Sequence, residues 1–353
     1  MKASQAAPQD REHALRSEGK PILFRGGRTS RLIMYVLGIE STAHTFGVGI
    51  TQDERILSNE RDTFKPKKGG IIPREASWHH YRKAPDVLKT ALKSAGISLG
   101  QVDMLAFSQG PGILPCLKVG TQAGVFLSKK YKKPIVGVNH CVAHIEIGRL
   151  STGFKDPVIL YVSGGNTQVI TYENERYVVF GETQDIGVGN LLDRTGRMLG
   201  IPFPAGPKIE ELAKGGRKYI RFPYTIKGMD VSLSGIETYV RKTIDGKRKE
   251  DVCFSLQETV FSMLIEASER AMAYCGKDEL IITGGVAANR RLNDMGEKMC
   301  AQRHARFKCL QKEYTGDNGA MIAYTGYLMR HEKTTDLKPR HRFRTDSVSI
   351  KYR

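Results

Sequence analysis

The chain has 353 residues, room for about two domains, each with a core of its own. Its 55 Lys and Arg against 37 Asp and Glu give a formal net charge of +18 at pH 7, which draws in polyanions before any specific contact forms; nucleic acid is the expected partner, and a merely solubilising basic surface is the alternative. No apolar run approaches the roughly 18 residues of a transmembrane helix, which argues against a membrane span, and six scattered cysteines without a C-x-x-C pair fit reduced thiols in a cytoplasmic compartment.

Residues 1–34 hold Arg11, Arg16, Arg25, Arg28 and Arg31 but lack an apolar signal core, so they read as a disordered leader ahead of the first strand. Residues 36–40 then read as a strand, 41–45 as a turn rich in hydroxyls, and 46–50 as the returning strand. A helix is expected over 76–95. A strand follows over 104–107, running into Gln109-Gly110-Pro111-Gly112, with a further helix near 118–130 and a strand over 135–138.

That last strand leads straight into Asn139-His140-Cys141-Val142-Ala143-His144. Imidazoles four residues apart project from one helical face and can ligate a single transition metal without backbone strain. A pair of plain surface histidines is the competing reading. Cys141 stands where H-E-x-x-H needs its glutamate, so a zinc-protease site is not indicated.

The second half repeats the grammar of the first. A strand over 158–162 meets the small-residue turn Ser163-Gly164-Gly165-Asn166-Thr167 and returns over 168–172; later a strand over 280–283 enters Gly284-Gly285-Val286-Ala287-Ala288-Asn289. Such turns leave backbone N–H groups open to a phosphate, although each alone is more often a tight hairpin. Asp193 and Glu210 are suited to accept ribose hydroxyls or, alternatively, to cap helices. Two lobes whose glycine turns face a shared cleft is the expected architecture.

The stretches GIESTAHTFGVGI, NHCVAHIEIGR, YVSGGNTQV, DIGVGNLLDRTGR, PAGPKIE, ITGGVAANRRL and TGDNGAMIAY together resemble the tRNA threonylcarbamoyladenosine synthase family. The likeness is to its archaeal and eukaryotic branch, the O-sialoglycoprotein endopeptidase-like catalytic subunit of the KEOPS complex, whose bacterial counterpart is TsaD. It runs from about Tyr35 to the C-terminus. It implies an α/β fold of the actin, Hsp70 and sugar-kinase (ASKHA) type, with two RNase H-like lobes around a nucleotide cleft. The implied bounds are 35–138 for the first lobe, with a helix over 318–333 packing back on it, 139–317 for the second, and 334–353 for a basic tail.

The resemblance also implies one metal ion held by His140, His144, Tyr161 and Asp317, a mixed N/O set that favours iron, with zinc the alternative. Tyr161 as an ordinary core residue is what the bare sequence suggests. Contacts to ATP, AMP or threonylcarbamoyl-AMP are implied for Tyr161, Val162, Ser163, Gly164, Gly165, Asn166, Asp193, Gly206, Glu210, Gly284, Gly285 and Asn289. The implied reaction moves threonylcarbamoyl from its adenylate to the adenosine 3′ of the anticodon in tRNAs reading ANN codons, releasing AMP. Implied partners are a small atypical kinase, a small dimerising subunit and a kinase-associated regulator.

Among the basic clusters, Lys132, Lys133, Arg217, Lys218, Arg340, Arg342 and Arg344 are candidates for tRNA phosphates, interleaved with aromatics that can stack on bases. Each cluster alone is more often a solvated face. A nucleotide- and metal-bound scaffold and a phosphotransferase of the same fold are the rival functions, and no general base is identifiable.

Overall fold

The computed structural model describes residues 33–66 and 70–353, so the expected leader lies outside the described residues except at its last two positions. Two five-stranded mixed sheets dominate. The first holds β1 (Tyr35–Glu40), β2 (Thr45–Gln52), β3 (Arg55–Thr63), β4 (Met104–Gly110) and β5 (Ile135–Asn139), with α1 (Pro73–Ala95), α2 (Leu114–Tyr131) and α3 (His140–Thr152) between or after them. The second holds β6 (Val158–Val162), β7 (Thr167–Glu173), β8 (Arg176–Glu182), β11 (Glu279–Thr283) and β12 (Arg306–Cys309). Between β8 and β11 come α4 (Val188–Met198), α5 (Gly206–Ala213), the short pair β9 (Ile226–Lys227) and β10 (Asp230–Val231), α6 (Ser234–Thr243) and α7 (Lys249–Cys275); α8 (Arg290–Gln302), α9 (Lys312–Thr315) and α10 (Gly319–Leu328) follow β11.

The spatial orders are β3-β2-β1-β4-β5 and β8-β7-β6-β11-β12. In each sheet the first three strands form an antiparallel meander, and the last two join the first strand in parallel. The two sheets therefore share one connectivity. The hydroxyl-bearing and glycine turns at 41–44 and 163–166 occupy the same topological place in each.

Side-chain alternation divides the core. In β1 and β4, Leu37, Ile39, Leu105 and Phe107 pack with Val87 and Ala91 of α1, whereas Val36, Met104 and Ala106 pack with Ala143 and Ile147 of α3 and with Met321 and Ile322 of α10. In β6, Ile159 and Tyr161 face Cys141, Val142 and Ile145 of α3, while Val158, Leu160 and Val162 face the large core built on α7. Helix α3 thus has one apolar face for each sheet, and residues 140–148 are buried throughout. A helix apolar on more than one side belongs in the interior.

Close backbone approach fixes α10. A Cβ on Gly38 or Gly49 would collide with the backbone of Gly319, Ala320 or Ala323, so the helix lies directly on β1 and β2 because those positions lack side chains.

After α10 the chain crosses from one sheet to the other. Gln109 Nε2 donates to the carbonyls of Asp336 (2.6 Å) and Lys338 (3.0 Å), Asn139 Nδ2 donates to Phe343 O (3.1 Å), Thr345 Oγ1 donates to Gln168 Oε1 (3.2 Å), and Ile350 N donates to Glu175 O (2.7 Å). Phe343, Thr345 and Ile350 are buried. No helix among the described residues is long and apolar enough to cross a membrane.

Candidate metal centre and nucleotide cleft

The site lies where parallel strands stop, the usual ligand position in open α/β sheets. β1 ends at Glu40, β5 at Asn139, β6 at Val162 and β11 at Thr283. Asn139 starts α3 by capping it: its Oδ1 accepts from the amides of Cys141 (2.9 Å) and Val142 (3.1 Å). Such a cap contributes about 1 kcal/mol, and here it fixes the turn from which His140 projects.

His140 and His144 share one face of α3, with ring centroids 4.7 Å apart. Both direct Nε2 at Oδ1 of Asp317, at 3.5 Å and 3.3 Å. One donor atom from each of the three residues fits within 4.8 Å of the others, a cluster that can hold a metal ion. Tyr161 enters from β6, its ring centroid 5.3 Å from that of His144, and its buried Oη has no hydrogen-bond partner among the described residues. An orphaned phenol beside two imidazoles and a carboxylate fits a fourth ligand better than a core tyrosine, whose hydroxyl would need a partner.

The electrostatics are those of a cation site. Burial tends to push the Asp317 carboxyl up, but the hydrogen bond to His144 and the charges of His140 and His144 hold it well below the usual carboxylate range. Burial pulls His140 down; the charge and hydrogen bond of Glu40, helped by Asp317, outweigh that and lift it to about 9. His144, wholly enclosed, is lowered by burial and by His140 despite its hydrogen bond to Asp317. Tyr161 is pushed well above the usual phenol value by burial and by nearby Cys141 and Asp317, so the phenolate forms only when positive charge is supplied.

Several residues of this centre escape sequence reasoning. Glu40, fully buried, places Oε2 3.0 Å from His140 Nδ1, and its Oε1 accepts from the hydroxyl (2.5 Å) and amide (2.6 Å) of Thr42. The Thr42 hydroxyl, in the hydroxyl-rich turn at 41–45, is therefore spent on Glu40. Arg61 Nη1 donates to the carbonyls of Glu313 (3.1 Å) and Asp317 (3.3 Å), fixing the segment that presents the carboxylate. A carboxylate on the far nitrogen of a ligating histidine sets its tautomer and raises its basicity. Glu40→Gln is accordingly expected to lower metal affinity about 10–100-fold with the fold retained. Competition against a chromophoric chelator reads this, and parental affinity would remove Glu40 from the role.

The nucleotide candidates gather at the same edge of the second sheet. β6 and β11 are parallel neighbours with Tyr161 opposite Thr283, so the turns at 163–166 and 284–285 lie side by side. The segment entering α4 packs beneath the first turn, Gly189 N donating to Ser163 O (3.1 Å) and Asn190 N to Gly164 O (3.0 Å). Gly164 and Gly165 are exposed, and a Cβ on Gly165 or Gly285 would meet no atom within 4 Å. Asp193 uses Oδ1 to accept from Ala205 N (2.8 Å), next to Gly206, and burial raises its carboxyl. Glu210 Oε1 accepts from Arg290 N at 3.1 Å. One oxygen of each carboxylate remains for a ligand.

Asn289 and Asn166 have structural duties too. Asn289 caps α8, Oδ1 accepting from Arg291 N (2.9 Å) and Leu292 N (3.3 Å), and Nδ2 donates to Gln257 Oε1 (2.7 Å), which leaves one N–H to offer. Asn166 Nδ2 lies 3.8 Å from Cys141 Sγ.

The basic candidates fall on three separate segments. Lys132 ends α2 in the left-handed conformation, and Lys133 Nζ donates to Gly100 O at 3.1 Å. Arg217 and Lys218 are exposed, their amides held by Asp251 Oδ1. In the crossing C-terminal segment Arg340 stacks on Phe343 at 3.8 Å, Arg342 is exposed, and Arg344 pairs with Asp346 (2.8 Å) and Glu182 (3.5 Å). Arg344 already has two carboxylate partners.

A family model described as tRNA N6-adenosine threonylcarbamoyltransferase matches residues 55–324. Proteins of that name from Thermococcus kodakarensis and Archaeoglobus fulgidus are 52% and 50% identical to the chain, covering 90% of it and 99% and 100% of themselves. A probable bifunctional tRNA threonylcarbamoyladenosine biosynthesis protein of Methanosarcina mazei is 49% identical over 90% of the chain, which spans 59% of that larger protein. Among solved structures, HypF of T. kodakarensis superposes with a TM-score of 0.62 at 13% identity, over 86% of this chain and 49% of that one. Component A of (R)-2-hydroxyglutaryl-CoA dehydratase from Acidaminococcus fermentans gives 0.53 at 14%, over 85% of this chain and all of that one. At such identities the likeness concerns fold alone, and it is consistent with an ASKHA-like pair of lobes. Half of the residues are shared with the curated relatives across nine tenths of the sequence, and the chain belongs to the tRNA N6-adenosine threonylcarbamoyltransferase family.

Proposed function

We propose that this chain transfers threonylcarbamoyl from threonylcarbamoyl-AMP to N6 of the adenosine 3′ of the anticodon, in tRNAs reading ANN codons, and releases AMP. The observation that supports it most directly is the adjacency of the His140–His144–Asp317 cluster to the open turns at 163–166 and 284–285, on one strand edge. In this reading the two lobes are RNase H-like halves of an actin-type cleft. The amides of Gly164 and Gly165 hold the adenylate phosphate, and the free oxygens of Asp193 and Glu210 take the ribose hydroxyls. Adenylate is a good leaving group, so holding the two reactants in register supplies much of the acceleration.

His140, His144, Asp317 and Tyr161 are the ligands this reading assigns to one metal ion, iron by preference for a set containing a phenol, with zinc the alternative. Bound there, the ion supplies a Lewis acid and a template for the carbamoyl-threonine part. Exposed Arg217, Lys218, Arg340 and Arg342, with Lys132, Lys133 and the already paired Arg344, are assigned to tRNA phosphates. The partners are the small subunits of a KEOPS-type complex, and the setting is the cytoplasm. The test is full-length chain, with and without such partner subunits, given threonylcarbamoyl-AMP and an ANN-reading tRNA. Mass spectrometry of digested tRNA should show the modified nucleoside; its absence from every arm, or transfer of the γ-phosphate of ATP instead, overturns the assignment.

Metal affinity is expected to rise with pH between about 7 and 9. His140 is lifted to about 9 because Glu40 and Asp317 outweigh its burial, so at pH 7 the ring holds a proton that a metal must displace. Raising the pH removes that competitor, giving up to about tenfold in affinity per unit for each proton displaced, with the gain from His140 levelling off above 9. Calorimetry at pH 7 in two buffers of different ionisation enthalpy should register proton release, and none would contradict this protonation.

A further inference from the structure

Helix α1 carries the chain's single tryptophan on its outer side. Ala76, His80, Val87 and Ala91 are buried, whereas Trp78 is 50% exposed and Tyr81, edge-on to it at 5.9 Å, is 67% exposed. Large aromatics left in solvent together mark a contact surface rather than a core. Glu75, Trp78, His79 and Arg82 are three or four residues apart and so share one helical face. With Phe64 and Lys83 they line an open cleft of about 470 Å³.

This cleft adjoins the strand edge of the metal centre. Phe64 follows β3, packs its ring on His79 at 5.7 Å, and donates its amide to the carbonyl of His44 (2.8 Å) in the turn between β1 and β2. The His44 ring in turn meets Phe203 of the second lobe, centroids 6.0 Å apart. A Cβ on Gly70, just before α1, would stand 3.7 Å from Nη2 of Arg197, an exposed residue of α4. The two lobes therefore approach each other beside the cleft.

Its charges are divided in a particular way. Asp62 is shared by His79 (2.7 Å) and Lys83 (3.4 Å), Arg82 Cζ lies 5.9 Å from the Trp78 ring centroid, and Glu75 is exposed at the rim. An aromatic face, guanidinium groups and one carboxylate match the three parts of a nucleotide in an unpaired strand: base plane, phosphate and exocyclic amine. A wholly apolar protein surface would leave Arg82 and Glu75 without partners.

We propose that this cleft receives an unpaired base of the substrate tRNA, stacked on Trp78, with Arg82 and Arg197 beside its phosphates, a site that rests on the tRNA reading above. A paired base offers no free face to the indole, so the site selects loop over stem.

The single tryptophan is its own reporter. Full-length chain is titrated with the anticodon stem-loop of an ANN-reading tRNA and with a blunt RNA duplex of equal length, following Trp78 emission. The stem-loop should quench it saturably and the duplex should not. Trp78→Leu should bind labelled stem-loop roughly 5- to 140-fold more weakly, the range for one stacked base, with Trp78→Phe within a few-fold of parent and both melting as the parent does. Arg82→Ala, which keeps the ring, should weaken binding and reduce the log–log salt slope by about 0.7. Parental affinity in Trp78→Leu, or equal quenching by the duplex, overturns the proposal. So does emission that answers to a partner subunit but not to RNA, which would make the face a protein contact. A modified nucleoside formed while Trp78 stays silent removes this site alone; quenching by the stem-loop in a chain that forms none keeps the site and removes the acyl-transfer reading.

Discussion

His144→Ala is expected to empty the metal site and abolish transfer while leaving the lobes folded. The ring is fully enclosed, and its partners are Asp317 at 3.3 Å and the neighbouring rings of His140 and Tyr161. Its carbonyl, which accepts from Thr283 Oγ1 at 3.2 Å, survives the substitution. His140→Ala should lose metal equally but is a rougher perturbation, because it strips Glu40, fully buried, of the imidazole that is its cationic partner among the described residues. Breaking a buried pair in that way costs roughly 3–5 kcal/mol. The ranking is therefore that both variants lose metal and activity, and His140→Ala loses more thermal stability. Elemental analysis of protein purified without chelators, alongside thermal melts, checks this. Full metal occupancy in a folded double variant would falsify the ligand assignment.

Why the histidines were legible in the sequence and Glu40 was not is a matter of range. A four-residue spacing is local, and α3 realises it because Asn139 caps the helix one residue earlier. Glu40 meets His140 across 100 residues through the parallel pairing of β1, β4 and β5, and Arg61 of β3 meets Asp317 across 256 because β3 pairs with β2, on which the start of α10 lies. Tyr161 lies between these cases. Alternation along β6 decides that it faces α3 rather than the core on α7, but nothing in the strand reveals that α3 is what waits there. The glycine turns could be read locally because backbone shape is written in glycine. The final twenty residues read as a basic run, yet they bury Phe343, Thr345 and Ile350, since three hydrophobic or hydroxyl residues among many charges make no periodic pattern.

Gly165→Val should weaken AMP binding without unfolding the protein. Gly165 does not adopt a positive φ, and a Cβ there would meet no atom within 4 Å, so the backbone and its surroundings tolerate a side chain. The branched side chain would occupy the space in which the turn amides are proposed to meet a phosphate. Losing one such charge-assisted hydrogen bond costs about 1.5–3 kcal/mol, which is roughly a 10- to 150-fold rise in Kd at 1.4 kcal/mol per decade. Gly284 supplies the contrast. Its φ is 96°, and a Cβ would run into the carbonyl of Val162, so Gly284→Ala is expected to disturb the strand edge itself and to lower the melting temperature. Calorimetry with AMP on both variants, beside their melts, separates a vanished ligand from a damaged fold. If Gly165→Val binds AMP as tightly as the parent, the phosphate is held elsewhere than between the two turns, and the shared connectivity of the sheets would describe the frame of the cleft without placing its occupant.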